Sequence, residues 1–255
     1  MGLKGKVRPA LGRVRHAYRG RGKPRAHFLH VGKTGGTALK TALRPVATAG
    51  SYRLDLHGHQ FPLARVRVGE RFFFATRDPI ARFVSGFYSR QRRGEPPSRS
   101  PWSPGEVQAF QEFRTANELA EQIDSDSRAR QAMRAIVHVR SPYSSWFGPP
   151  DDLLERLDDL LFILRLEHLA DDFPRLLSRL GLEGRTALPA DDGGSHRGAT
   201  AVDRTLSARA VANLRAWYER DYRFIELCES IAADLWGGHD TAERKASGPE
   251  AIGTA

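Results

Sequence analysis

The chain is expected to fold as one α/β domain with a mainly parallel central sheet flanked by helices, and three stretches carry that expectation. In each, a short apolar run leads within a few residues into helical spacing: 27–31 into a glycine-rich loop and a helix from about Gly36, 72–76 into a helix from Pro79, and 160–164 into a helix over 169–180 that stops at Gly181. Strands that alternate with helices imply parallel pairing with helices on both faces. A chain of 255 residues can bury a full core. Helical patterns over 105–122, 128–138 and 207–235 complete the elements, and there are no internal repeats.

The first run ends in Gly32-Lys33-Thr34-Gly35-Gly36-Thr37-Ala38, which reads as a phosphate cradle. Its glycines let backbone N–H groups turn inward, and a helix opening at Gly36 aims its positive end at the same point. Lys33 adds a mobile charge, the amides of Gly35, Gly36, Thr37 and Ala38 add donors, and Thr34 and Thr37 add hydroxyls. An ordinary glycine turn would need neither the lysine nor the threonines. The nucleoside triphosphate loop, G-x-x-x-x-G-K-[ST], would require a glycine where His27 stands. With the lysine ahead of the paired glycines, the loop suits a smaller terminal anion than a magnesium triphosphate.

The second run continues as Arg77-Asp78-Pro79-Ile80-Ala81-Arg82-Phe83-Val84-Ser85. Asp78 is placed to cap a helix whose first residue, Pro79, loses nothing by lacking an N–H. Ile80, Phe83, Val84 and Phe87 recur at helical spacing and are expected to pack on the sheet, leaving Arg82, Ser85 and Ser89 on the opposite side. Arg77, at a strand end, converges with the Lys33 loop on one crevice, where a guanidinium fork suits a phosphate.

The loop and the R-D-P-x-x-R-x-x-S segment from Arg77 to Ser85 resemble the 5'-phosphosulfate loop and the 3'-phosphate segment of sulfotransferases that use 3'-phosphoadenosine 5'-phosphosulfate (PAPS). The resemblance covers roughly 26–232. It implies a P-loop-kinase-like sulfotransferase fold, PAPS as donor with no metal required, and Arg77 and Ser85 as ligands of the 3'-phosphate. Between the blocks, His57-Gly58-His59 is similar to the catalytic segment of the heparan and uronyl 2-O-sulfotransferase branch. That similarity implies His59 as the base for a carbohydrate or glycolipid hydroxyl, with His57 in support; histidine, titrating near neutrality, suits the task. A surface histidine pair, or half of a metal site, is the alternative reading of the triplet. Against a metal, the single Cys228 and scattered acids offer no spaced ligand set.

Further residues follow from the same resemblance. Arg197, in the polar loop 193–200, is the cation expected where the family closes over the nucleotide. Glu167 matches a glutamate common in the family, with a structural role expected, and the 217–222 run resembles the family's closing helix. Tyr143 and Trp146 are candidate aromatic faces for a sugar acceptor. The proline-rich stretch 94–104 is expected to rim the acceptor site.

Charge is concentrated at one end. The net charge is +10, and nine basic residues with no acid lie in 1–26, so the remainder holds 31 basic against 30 acidic residues. Nucleic acid binding is therefore not required, whereas the arginines at 77, 82, 90, 92, 93 and 99 would draw an anionic ligand. Residues 1–25 read as a basic flexible arm, 26–236 as the sulfotransferase domain and 237–255 as a disordered tail. Leu3, Val7, Leu11, Val14 and Tyr18 permit an amphipathic helix on anionic lipid, but Gly5, Pro9, Gly12 and Gly20 favour a solvated arm. The arm lacks the apolar core of a signal peptide and the membrane helix of animal members of the branch, which implies a bacterial-type enzyme. One cysteine fits a cytoplasmic protein, with at most peripheral contact at the inner membrane surface. Two other classes stay open: a nucleotide kinase, which would need magnesium, and a non-catalytic nucleotide-binding protein.

Overall fold

A computed structural model describes residues 22–92, 101–190 and 203–246, with side chains to Gly237. Most of the basic arm, the first part of the proline-rich stretch, the loop holding Arg197 and the end of the tail lie outside the described residues.

Four strands, β1 (Arg25–Leu29), β2 (Arg53–Leu56), β3 (Arg71–Thr76) and β4 (Leu160–Arg165), form one sheet in the order β2-β1-β3-β4. Every pairing is parallel, as expected for the α/β class. β1 and β3 are central and buried along nearly their whole length, which is why they read as unbroken apolar runs. β2 is an edge strand of alternating character: Arg53 is exposed, Leu54 buried and Asp55 half-buried. No apolar run announces it, so the sequence reading passed over it.

From β1 the chain steps to β2 on one side, then crosses to β3 on the other. This reversal opens a crevice beyond the carboxyl ends of β1 and β3, the usual ligand position in an open parallel sheet. The helices are α1 (Gly36–Leu43), α2 (Pro79–Gln91), α3 (Pro104–Glu112), α4 (Ala116–Glu121), α5 (Ser127–Ala135), α6 (Ser144–Phe147), α7 (Pro150–Leu154), α8 (Leu169–Leu180), α9 (Ala208–Trp217) and α10 (Glu219–Ala246). Where one helix was expected over 105–122 there are two, because Ser103 with Glu106 and Thr115 with Glu118 each form a complete capping box. The pattern over 207–235 likewise breaks at Tyr218.

The core has two parts. One surrounds the sheet, with Phe28, Phe73, Phe74, Phe147 and Phe224; the other joins α2 to α3, α4, α5 and α9 through Phe83, Phe87, Phe110, Leu119 and Leu214. Hence the apolar stripe of α2 packs on helices and not on the sheet, contrary to expectation. Its other side is not solvent either, since Arg82 is 3% exposed and Ser89 is buried. Periodicity defines a stripe but not what covers it.

Candidate active site

The loop 30–35 joins β1 to α1. Gly35, the N-cap of α1, has φ 80°, and a Cβ there would lie 2.7 Å from Leu166 Cδ1. A Cβ on Gly36 would overlap the His30 ring. Lys33 also takes a left-handed φ, 68°. Such a conformation costs a non-glycine residue about 1–3 kcal/mol and persists where surroundings hold a side chain in place. Thr34 is fully buried and its hydroxyl donates to the Val31 carbonyl at 3.0 Å, so that hydroxyl is used within the loop and not offered to a ligand as expected. Thr37 is exposed and Ala38 half-buried in the first turn of α1, where N–H groups lack intrahelical partners.

Cations gather on the β3 side. Arg77 Nη1 donates to the Lys33 carbonyl at 3.3 Å. Burial, followed by the charges of Arg77, Arg92 and Arg204, lowers Lys33 to a pKa of about 8. Burial also lowers Arg77, against the pull of Glu167, Tyr143 and Asp78. Like charges brought this close repel one another, and an anion among them relieves the repulsion, so the cluster fits a polyanionic nucleotide. Ser85 is half-buried on α2. Arg204 belongs to no motif in the sequence, whereas Arg197, the cation expected in this region, lies outside the described residues. Arg204 is exposed and is held near the crevice by its neighbour Asp203, whose carbonyl accepts from the Tyr88 hydroxyl of α2 at 2.7 Å. A contact across 115 positions brings it there. Arg90, by contrast, is withdrawn into a buried ion pair with Glu106 at 2.6 Å.

Histidines gather on the β2 side. His59 Nδ1 lies 3.3 Å from the His30 carbonyl oxygen. A carbonyl can only accept, so Nδ1 carries the hydrogen and Nε2 keeps its lone pair. Desolvation lowers the pKa of His59 despite its exposed edge, with the His30 bond opposing and Lys40 and Lys33 adding to the fall. His30 is buried against it, ring centroids 3.9 Å apart, with its pKa lowered to about 2, chiefly by burial. His138, unremarked in the sequence, stands on the far side of His59 with centroids 6.0 Å apart.

His57 belongs to a different network. Its Nε2 lies 2.9 Å from His27 Nδ1, and His27 Nε2 lies 3.0 Å from Glu70 Oε2. The ring stacks on Phe61 with centroids 3.5 Å apart, and desolvation, then His27, lowers its pKa. The two histidines of the triplet thus have separate partners.

Behind both groups is a shared support. Arg82 Nε donates to the Gly32 carbonyl at 3.1 Å, Nη1 to Asp221 at 3.2 Å and Nη2 to the Ser141 carbonyl. The motif's second arginine therefore braces the loop from below. Burial pushes the Asp221 carboxyl up, against the pull of Arg82. Tyr143 and Trp146 are not open sugar-stacking faces, because both are buried in the core. The Tyr143 hydroxyl bridges the N–H and carbonyl of Arg77, each at 2.9 Å, and the Trp146 indole donates to the His59 carbonyl at 2.7 Å. Glu167 accepts from the Asp78 N–H at 3.0 Å, a structural contact at the start of α2.

A parallel sheet with a glycine-rich loop at its topological switch point defines the class: an open α/β protein with a crevice at the carboxyl ends of its central strands. The family model described as the sulfotransferase family matches residues 21–226, and the chain belongs to that family. No curated protein and no solved structure gives a match. Among the described residues no helix is long and apolar enough to cross a membrane, and no group of three or more His, Cys, Asp or Glu is arranged to hold a metal ion.

Proposed function

We propose that the chain is a PAPS-dependent O-sulfotransferase acting on a hydroxyl of a carbohydrate or glycolipid, with His59 as general base. The observation that carries the reading is the bond from His59 Nδ1 to the His30 carbonyl, which leaves Nε2 as an acceptor on a ring that stands next to Gly32 of the loop. Family membership supports sulfuryl transfer, and the similarity of His57-Gly58-His59 to the 2-O branch supports a sugar acceptor.

The cation cluster suits the donor. Lys33 and the amides of Gly35 to Ala38 would hold the 5'-phosphosulfate, and Arg77 and Ser85 the 3'-phosphate, with Arg204 and Arg197 as further cations. Bound PAPS supplies the sulfuryl group: the acceptor oxygen bonds to sulfur, the sulfur–oxygen bond to the 5'-phosphate breaks, and its electron pair stays on that phosphate. His59 Nε2 takes the hydroxyl proton, which is possible only while the ring is neutral, and its lowered pKa keeps it so. Protonated Lys33 balances charge that builds on the departing phosphate. His57, tied to His27, would hold the segment that presents His59.

Labelled PAPS incubated with glycans, glycolipids and small alcohols, with label transfer read by mass, tests the reading. Transfer that persists with a chelator is the expected result. Magnesium-dependent phosphoryl transfer from ATP would make the chain a kinase, and tight nucleotide binding without turnover on any acceptor would make it a binding protein.

A further inference from the structure

His138 is more firmly placed than a residue in a connecting turn needs to be. It follows α5, and its backbone is fixed from three directions. The Val137 N–H donates to the buried Glu106 carboxylate at 3.1 Å, the Val139 carbonyl accepts from the Tyr218 hydroxyl at 3.1 Å, and α2 presses so close that a Cβ on Gly86 would lie 2.8 Å from the His138 carbonyl oxygen. Glu106 is itself locked to Arg90. These contacts aim an imidazole at the phosphate loop.

Its target can be located. A Cβ built on Gly32 would lie 3.8 Å from His138 Nδ1 and 3.9 Å from His59 Nδ1, so both rings face the space above Gly32, beside Lys33. The two rings meet edge-on. Among the described residues neither ring nitrogen of His138 has a hydrogen-bond partner, although the ring is half-buried. Its ring nitrogens are not sealed from solvent, so they are open to a ligand in the crevice, and a neutral imidazole always has one N–H to give. Burial first, then Lys33, lowers the His138 pKa to about 3, which makes it a poor proton acceptor but a permanent neutral donor near pH 7.

We infer that His138 is a second histidine of the transfer centre, donating a hydrogen bond to an oxygen of the sulfuryl group while His59 alone takes the proton. The inference rests on the sulfotransferase reading. It divides the work by geometry: His59 is fixed as an acceptor at Nε2 by the His30 carbonyl, and His138, without a partner, is the donor opposite. Lys33 is left to the leaving oxygen. A donor aimed where charge is rearranged helps the reaction without moving a proton of its own.

The test needs no acceptor. Orthovanadate, a five-coordinate oxyanion when apically ligated, is titrated calorimetrically into enzyme saturated with 3'-phosphoadenosine 5'-phosphate. His138→Ala should weaken vanadate binding by about ten- to a hundredfold, the range for a hydrogen bond to a charged group, and leave nucleotide affinity within about twofold. His138→Asn or His138→Gln, each keeping a side-chain N–H, should recover part of the loss. Unchanged vanadate affinity in His138→Ala would overturn the inference. So would a loss of vanadate, nucleotide and melting temperature together that neither amide restores, since that marks a structural role. Wild-type protein that binds neither nucleotide nor vanadate contradicts the sulfotransferase reading itself, whereas intact binding indifferent to His138 contradicts only the inference.

Discussion

The two sides of the phosphate loop handle charge in opposite ways. On the β3 side, Lys33, Arg77, Arg92 and Arg204 are close enough to perturb one another, an arrangement that suits an anion. Around His59, by contrast, the His30 ring packs on one side and the His138 ring on the other, with the pKa values of all three lowered, so they stay neutral. Burial drives both effects, yet the outcomes differ. An arginine cannot shed its charge and must be balanced by a ligand, whereas a histidine sheds its proton and becomes available for hydrogen bonds. In the proposed reaction the arginines would hold the anion and His59 would take the proton, so each task should be open to damage without the other.

The largest expected effect is on the neutral side. His59→Ala should lower turnover by about two to four decades, the range for removing a positioned base, as read in single-turnover label transfer. Next is the support common to both sides. Asp221→Ala leaves Arg82 buried without its carboxylate and should cost about 3–5 kcal/mol of stability by urea denaturation, because an unpaired buried charge is worse than none. Lys33→Ala should reduce turnover about a hundredfold or more while weakening product-nucleotide binding less, since its proposed partner is the leaving oxygen. Arg77→Ala should do the reverse, costing about 1.5–3 kcal/mol of product-nucleotide affinity by calorimetry, with Arg204→Ala smaller because that side chain is exposed.

The smallest effects are in pH. Since the His59 pKa is lowered, the acid limb of turnover should lie below pH 6.5, with activity rising as the ring loses its proton. Lys33, near 8 in the free enzyme, should give kcat/KM for the donor a falling limb near pH 8. Stability should follow the histidines. His30, lowered from 6.5 to about 2, is neutral in the fold while the unfolded chain protonates first. Its contribution is therefore complete above pH 6.5 and lost as pH falls, at up to about 1.4 kcal/mol per pH unit. Urea midpoints at pH 7 and pH 5 would show a constant value if this is wrong.

The same contrast governs what could be read in the sequence. The central strands were legible because burial on both faces leaves an unbroken apolar run, and the loop was legible because its glycines and lysine are contiguous. The edge strand β2 was not, since Arg53 and Asp55 interrupt its apolar character. Arg77, Arg82 and His59 were marked by motif, but the bracing role of Arg82, and the places of Arg204 and His138, depend on contacts between distant segments. Arg82 reaches Asp221 across 139 positions, and nothing in its motif names that partner or shows that the side chain is buried.

The division across the loop is tested most directly by product-nucleotide calorimetry on His59→Ala, run beside its single-turnover assay. If His59 handles only the proton, the variant binds 3'-phosphoadenosine 5'-phosphate within about twofold of wild type, a difference below about 0.5 kcal/mol, while label transfer is nearly abolished. A tenfold or greater loss of nucleotide affinity, or label transfer at the wild-type rate, would contradict the account.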